Sequence, residues 1–205
     1  MKLYIDGHEV VANPGETLLD LIHKLSFDCS LLSQRPLAAK IAGEVFNLNY
    51  VPVRQKDAAD PDRPSIRRAM AASEGHVKLL RYSDPSGKDV YSRTAQFILF
   101  LALHQLWPQA RSKMDCTVGS GLYIEVNGAD NFDVAILKER VKLLVKEDFS
   151  LIRKRITTQE AIEHFTASGQ NDKARLLAFR SEEYFDQYSY GDFSDTYWVA
   201  CIYGE

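Results

Sequence analysis

The sequence predicts a two-part α+β protein. Three observations point there: an alternating apolar pattern broken by Asp6-Gly7 at the front, a charged, proline-bearing stretch from Gln55 to Pro64, and a run from Ser92 to Trp107 with almost no polar face. At 205 residues there is room for one sizeable core or two small ones, since domains commonly run ~100–150 residues. The expected division is residues 1–56, a linker over 57–76, and a second part over 77–205.

Leu3, Ile5 and Val10 alternate around Asp6-Gly7, a hairpin signal because a type I′ turn needs positive φ at both central residues. Pro14-Gly15 turns the chain. Thr17 suits an N-cap, with Asp20 three residues on as a capping-box partner. Leu18, Leu21, Ile22 and Leu25 then recur at helical spacing. A second hairpin follows, Leu37–Ile41 and Val45–Leu48 about Ala42-Gly43. Hairpin, helix and hairpin in so short a span read as a small β-grasp unit, a mixed sheet wrapped across one helix.

Gln55 to Pro64 combines charge with two prolines and cannot easily continue a strand or helix, which makes it the natural linker. Ser65–Ser73 suits a short surface helix, Val77–Tyr82 a strand, and Asp84-Pro85-Ser86-Gly87 a turn. A helix apolar all round must be buried all round, so Ser92–Trp107 is expected at the centre of a layered domain, stopped by Pro108. Gly121–Val126 reads as a strand. Phe132–Asp148 reads as an amphipathic helix with Val134, Leu137, Val141, Leu144 and Val145 inward. Leu151–Ile156 is a strand, Thr158 caps a helix that Gly169 ends, and Asn171 opens another short helix.

The hydrophobic fraction of 45% and charged fraction of 26% are those of a globular chain, and a net charge of −3 is not the footprint of a general nucleic-acid binder. Three scattered cysteines, Cys29, Cys116 and Cys201, without Cys-x-x-Cys spacing suit a reducing compartment rather than a disulfide scaffold. The longest apolar stretch, Phe97–Leu103, is short of the ~20 residues that span a bilayer. The expectation is a soluble cytoplasmic protein without a membrane partner.

No metal site is expected, because the five histidines form no His-x-x-x-His pair and have no cysteine at ligand spacing. His104 reads as a hydrogen-bonded core or rim residue. Gly87-Lys88 is not a phosphate loop: Tyr82 stands where the motif wants Gly, and Asp89 where Ser or Thr would hold magnesium. Glu182, Glu183, Asp186, Asp192 and Asp195 with Tyr184, Tyr188, Tyr190 and Tyr197 form an acidic, aromatic tail. It reads either as a pocket wall for a polar ligand or as a half-exposed strand with solvated acids. Arg153-Lys154-Arg155, with Lys142 and Lys146, is a candidate RNA or phosphate patch, diluted by Glu147 and Asp148.

Several segments together resemble a known arrangement. Gly15-Glu16-Thr17-Leu18-Leu19-Asp20-Leu21 followed by Leu37–Leu48 is similar to a TGS domain, the β-grasp module at the front of threonyl-tRNA synthetases. Ala102–Gln109, Gly121–Glu125, Leu137–Ile156, Thr158–Phe165 and Tyr190–Asp195 resemble the domain that follows it there, the second additional domain shared with alanyl-tRNA synthetase editing proteins. The resemblance thus implies an α+β chain of a β-grasp (TGS-like) domain followed by an editing-like domain. In synthetases the central helix of that domain opens with His-Ser-x-x-His and a late strand carries Cys-Arg-Gly-Pro-His. Here the histidine positions, counted back from Trp107-Pro108, are Arg93 and Phe97, and Thr196-Tyr197-Trp198-Val199-Ala200-Cys201 replaces the late motif.

Tyr91-Ser92-Arg93-Thr94 and Asn171-Asp172-Lys173 are also similar to bacterial nucleoside kinases related to uridine kinase and phosphoribulokinase, which carry both front domains ahead of a P-loop kinase. That resemblance implies a non-catalytic ligand-binding or regulatory module. Any ATP and magnesium would be held by a downstream kinase domain, with no cofactor in this chain. Arg93, Gly121, Tyr123 and Asp195 would then face the former editing cleft, Arg93 as a fixed cation for a carboxylate or phosphate. The competing expectations are an editing hydrolase of mischarged tRNA using Cys201, and a stand-alone TGS protein that binds RNA or nucleotides.

Overall fold

The structure, a computed structural model, describes residues 1–27, 31–53, 74–119, 121–179 and 183–197. The expected linker core Gln55–Pro64, the expected helix Ser65–Ser73, Cys29 and Cys201 lie outside the described residues.

The first sheet has five strands: β1 (Lys2–Ile5), β2 (His8–Val11), β3 (Ala38–Ile41), β4 (Glu44–Phe46) and β5 (His76–Leu80), in the order β2-β1-β5-β3-β4. β1 is antiparallel to β2 and parallel to β5, while β3 is antiparallel to both β5 and β4. Asp6 (φ 46°) and Gly7 (φ 84°) take the two positive-φ positions of the first turn, and Ala42 (φ 48°) and Gly43 (φ 92°) those of the second. Helix α1 (Leu18–Lys24) begins at a complete capping box. The Thr17 backbone N–H donates to Asp20 Oδ2 at 2.8 Å, and the Asp20 N–H donates to Thr17 Oγ1 at 3.1 Å. Its Leu18, Leu21 and Ile22 pack on Leu3, Ile5, Ile41 and Leu79 of the sheet, forming one core.

Two features at the junction of β5 with the next helix differ from the sequence reading. The strand placed at the front of the second part, β5, is the middle strand of the first sheet. Pairing with β1 and β3 is a long-range matter that the local pattern of His76–Leu80 does not encode. Asp84-Pro85-Ser86-Gly87 is no free turn: it opens helix α2 (Pro85–Leu106), with Asp84 at the N-cap and Pro85 in the first turn, where a missing N–H costs nothing. A Cβ on Gly87 would lie 2.0 Å from the Arg81 carbonyl oxygen, so only glycine lets this helix start against the end of β5.

The remainder comprises a hairpin, β6 (Arg111–Val118) with β7 (Gly121–Asn127), helix α3 (Val134–Glu147), strand β8 (Ile152–Thr157), helices α4 (Thr158–Ala167) and α5 (Asn171–Ala178), and strands β9 (Tyr184–Tyr190) and β10 (Phe193–Tyr197). β8, β9 and β10 form an antiparallel sheet in the order β10-β9-β8. The cap of α4 is Thr157, not Thr158, because Glu160 stands three residues on and completes the box. α2 lies between α3 and this sheet, with Phe97, Leu101, Ala102, Leu144, Leu151 and Tyr188 in one core. It is not buried all round, since Tyr91 and Ala95 are exposed. Nor does α3 bury every residue expected inward: Leu144 does, but Val134 and Val145 are 66% and 59% exposed. Among the described residues no helix is long and apolar enough to cross a membrane.

Candidate functional site

Side chains on a strand alternate between faces, so register decides which groups meet. Arg153 pairs with Tyr188, which pairs with Asp195, and Arg155 pairs with Asp186 one row further on. These five side chains therefore share the sheet face that α2 covers. At the apolar end of that face Phe97 meets Phe193 edge-on, ring centroids 5.2 Å apart, above the fully buried Tyr188. At the polar end Asp186, its side chain only 13% exposed, accepts two hydrogen bonds from Arg153 Nη2 at 2.9 and 2.8 Å, and Arg155 Nε stands 3.6 Å away.

A second charged pair lies on the neighbouring strand. Asp195, 8% exposed at the side chain, accepts from Lys173 Nζ at 2.8 Å and from the Thr196 backbone N–H at 2.9 Å. The ammonium is also set against the Phe165 ring (5.2 Å) and the Phe100 ring (6.0 Å), so α5 delivers it along an aromatic wall. Among the described residues two guanidiniums and one ammonium are thus gathered with two carboxylates on this face. Such a surface can hold an anionic or zwitterionic ligand through charge-assisted hydrogen bonds.

The residues singled out from the sequence are distributed as follows. Asp195 is within this face and buried. Arg93 is half-buried on α2, one turn ahead of Phe97. Gly121 and Tyr123 belong to the separate two-stranded sheet and are exposed, Tyr123 by 52%. The basic run is divided by the pleat: Arg153 and Arg155 turn toward Asp186, while Lys154 is exposed on the opposite face. Lys142 and Lys146 are exposed on α3, where Lys142 pairs with Glu139 at 2.7 Å.

Three groups gain their partners only from the fold. Lys173 appears in the sequence as a step after Asn171-Asp172, with no sign that it meets Asp195 twenty-two residues later. His164 Nε2 lies 3.0 Å from Ser194 Oγ on the other sheet face, and His104 Nε2 lies 3.3 Å from Asp192 Oδ2 at the β9–β10 turn. His104 is accordingly a rim residue with a polar partner. Among the described residues no three His, Cys, Asp or Glu side chains gather as a metal site.

No protein-family model matches the chain. Among characterised proteins it is similar to threonine–tRNA ligases. That of Syntrophomonas wolfei is 22% identical over 194 residues, covering 93% of this chain and 27% of the ligase. That of Clostridium kluyveri is 26% identical over 194 residues with the same coverage. That of Desulforamulus reducens is 27% identical over 185 residues, 88% of this chain and 26% of the ligase. The chain therefore spans about a quarter of the length of these relatives.

Proposed function

We propose that this chain is a non-catalytic, small-ligand-binding module that shares its plan with the N-terminal, non-synthetic region of threonine–tRNA ligases, a β-grasp unit followed by an editing-like unit. The observation that carries this reading is Phe97. It is fully buried, packed on Phe193 in the middle of a core, where a hydrolytic cleft of that family would need an imidazole. A phenyl ring neither moves a proton nor ligates a metal, so general acid–base chemistry has no donor at that place. The polar end of the same face gathers Arg153, Arg155 and Lys173 with Asp186 and Asp195, and charges of both signs suit a small anion or zwitterion: an amino acid, a carboxylate or a nucleotide phosphate. The module works in the cytoplasm, and a kinase domain downstream remains the expectation drawn from Tyr91-Ser92-Arg93-Thr94 and Asn171-Asp172-Lys173. Reading the gene past codon 205 for Gly-x-x-x-x-Gly-Lys-Ser/Thr tests that expectation.

The functional reading is tested on the purified chain in two arms. Incubation with mischarged threonine tRNA should release no amino acid above the uncatalysed rate; release abolished in Cys201→Ala would overturn the non-catalytic assignment. Calorimetric titration with amino acids, nucleosides and nucleotides should identify a ligand whose affinity falls about tenfold or more in Lys173→Met, since a hydrogen bond to a charged group contributes ~1.5–3 kcal/mol. A ligand that binds Lys173→Met as well as the parent would show that the site lies elsewhere.

A further inference from the structure

We propose that a second copy of this chain docks on the flank of α3, the two helices running antiparallel about a twofold axis that passes between Glu139 and Arg140. α3 buries Leu144 and packs Leu137 and Val141 on the core beneath it. Ile136 and Leu143, seven residues apart and so on one line of the helix, lie off that inward face and are 51% and 53% exposed. They form an apolar groove with Leu106 at the end of α2, lined also by Ala135, Glu139 and Arg140. Phe132, 41% exposed and 5.0 Å from the Trp107 ring, continues the apolar strip.

The occupant follows from the order of these residues. A twofold contact is isologous: where residue i meets residue j of the partner, j meets i. The midpoint between Ile136 and Leu143 is also the midpoint between Glu139 and Arg140. One antiparallel register therefore sets each Ile136 on the partner's Leu143 and each Glu139 on the partner's Arg140. It makes two apolar and two opposite-charge contacts at once. Parallel pairing would instead set Glu139 on Glu139 and Arg140 on Arg140. Within one chain Glu139 pairs with Lys142, both side chains more than half exposed, and Arg140 donates from Nε to Gln105 Oε1 at 2.8 Å and from Nη1 to Glu147 at 3.2 Å. The exposed Glu139–Lys142 pair is weak and opposes docking little, whereas Arg140, its side chain 27% exposed, gives up one of its two contacts, which lowers the affinity further. A 14-residue helix is only ~21 Å long, so the contact falls below the ~800 Å² per partner of a standard interface and should be a weak, reversible one.

Sedimentation of the full chain from micromolar to millimolar concentration tests this. The parent should pass from monomer to dimer, and Ile136→Lys should remain monomeric with an unchanged melting curve. Glu139→Arg and Arg140→Glu should each weaken association at least about tenfold, because each sets like charges together twice. The double variant, which restores opposite charges only in this antiparallel register, should return to within a few-fold of the parent. A chain that stays monomeric throughout, a dimer that survives Ile136→Lys, or a double variant no tighter than the singles would each overturn the proposal.

Discussion

Replacing Phe97 with alanine measures whether this position is core or open cleft. Phe97 is 0% exposed and shares a cluster with Leu101, Ala102, Leu144, Leu151 and Tyr188, with Ile98, Leu137, Val141 and Phe193 packed around it. Removing a fully buried phenyl ring costs about 3–5 kcal/mol, combining lost transfer energy with the cavity left behind. The edge-on contact with Phe193 accounts for about 0.5–1.5 kcal/mol of this. Against a total stability of about 5–15 kcal/mol the loss is large. Urea unfolding followed by Trp107 fluorescence in a Trp198→Phe background reports it, because Trp107 closes α2 and donates its indole N–H to the Asp130 carbonyl at 3.1 Å. A double-mutant cycle with Phe193→Leu isolates the ring pair. A loss below about 1 kcal/mol would show that Phe97 borders a solvent-filled cleft, and the reading of a closed, non-catalytic core would fail with it.

Gly87→Ala inverts an ordinary rule. In an exposed helix the change stabilises by up to ~1 kcal/mol, but here the new methyl meets the Arg81 carbonyl at 2.0 Å, so a loss of about 2 kcal/mol or more is expected in thermal or urea melts; a neutral or stabilised variant would mean that α2 does not start against β5. Glu16 supplies an acid-sensitive contact in the first unit: the Asn13 backbone N–H, then the Lys24 ammonium, then the Asn13 amide lower its carboxyl from 4.5 to about 2. Because the folded value is depressed, its contribution is full above about 4.5 and fades as pH falls toward 2. An NMR titration of the Glu16 side chain should therefore find a midpoint near 2, and one at 4 or above would refute the contact.

The features legible in the sequence are those whose physics is local. Asp6-Gly7 and Ala42-Gly43 announce their turns because positive φ is a property of the residues themselves, and Thr17 with Asp20 announces a helix start because the two orphan donors are satisfied within one turn. The features that misread are those in which a local signal serves a distant partner. Asp84-Pro85-Ser86-Gly87 carries every mark of a turn, yet the same residues suit a helix N-terminus, and only the closeness of Arg81 decides between them. Arg111–Val118 has too little apolar alternation to read as a strand and becomes one by pairing with β7. Val134 and Val145 fit an inward stripe by composition, but the strip of α3 in contact with α2 is narrower than its apolar arc.

The candidate site shows the same division more sharply. Arg153-Lys154-Arg155 reads as one basic patch only while the chain is treated as a string of charges. On a strand, three consecutive side chains cannot share a face, and the pleat gives two of them to Asp186 and one to solvent. That placement changes the chemistry. A surface patch of three cations would attract polyanions through counterion release. Two guanidiniums held around one nearly buried carboxylate, beside a Lys173–Asp195 pair, instead present few and directional donors within a small space. Because each charge there already has an opposite partner, a ligand can bind only by replacing a partner group with one of the same sign. The group displaced from an arginine must be answered by an anion, and one displaced from Asp195 by a cation. A ligand bearing a single anionic group engages one half of this arrangement; one bearing both signs engages both, which is why amino-acid zwitterions belong beside nucleotides in the titration.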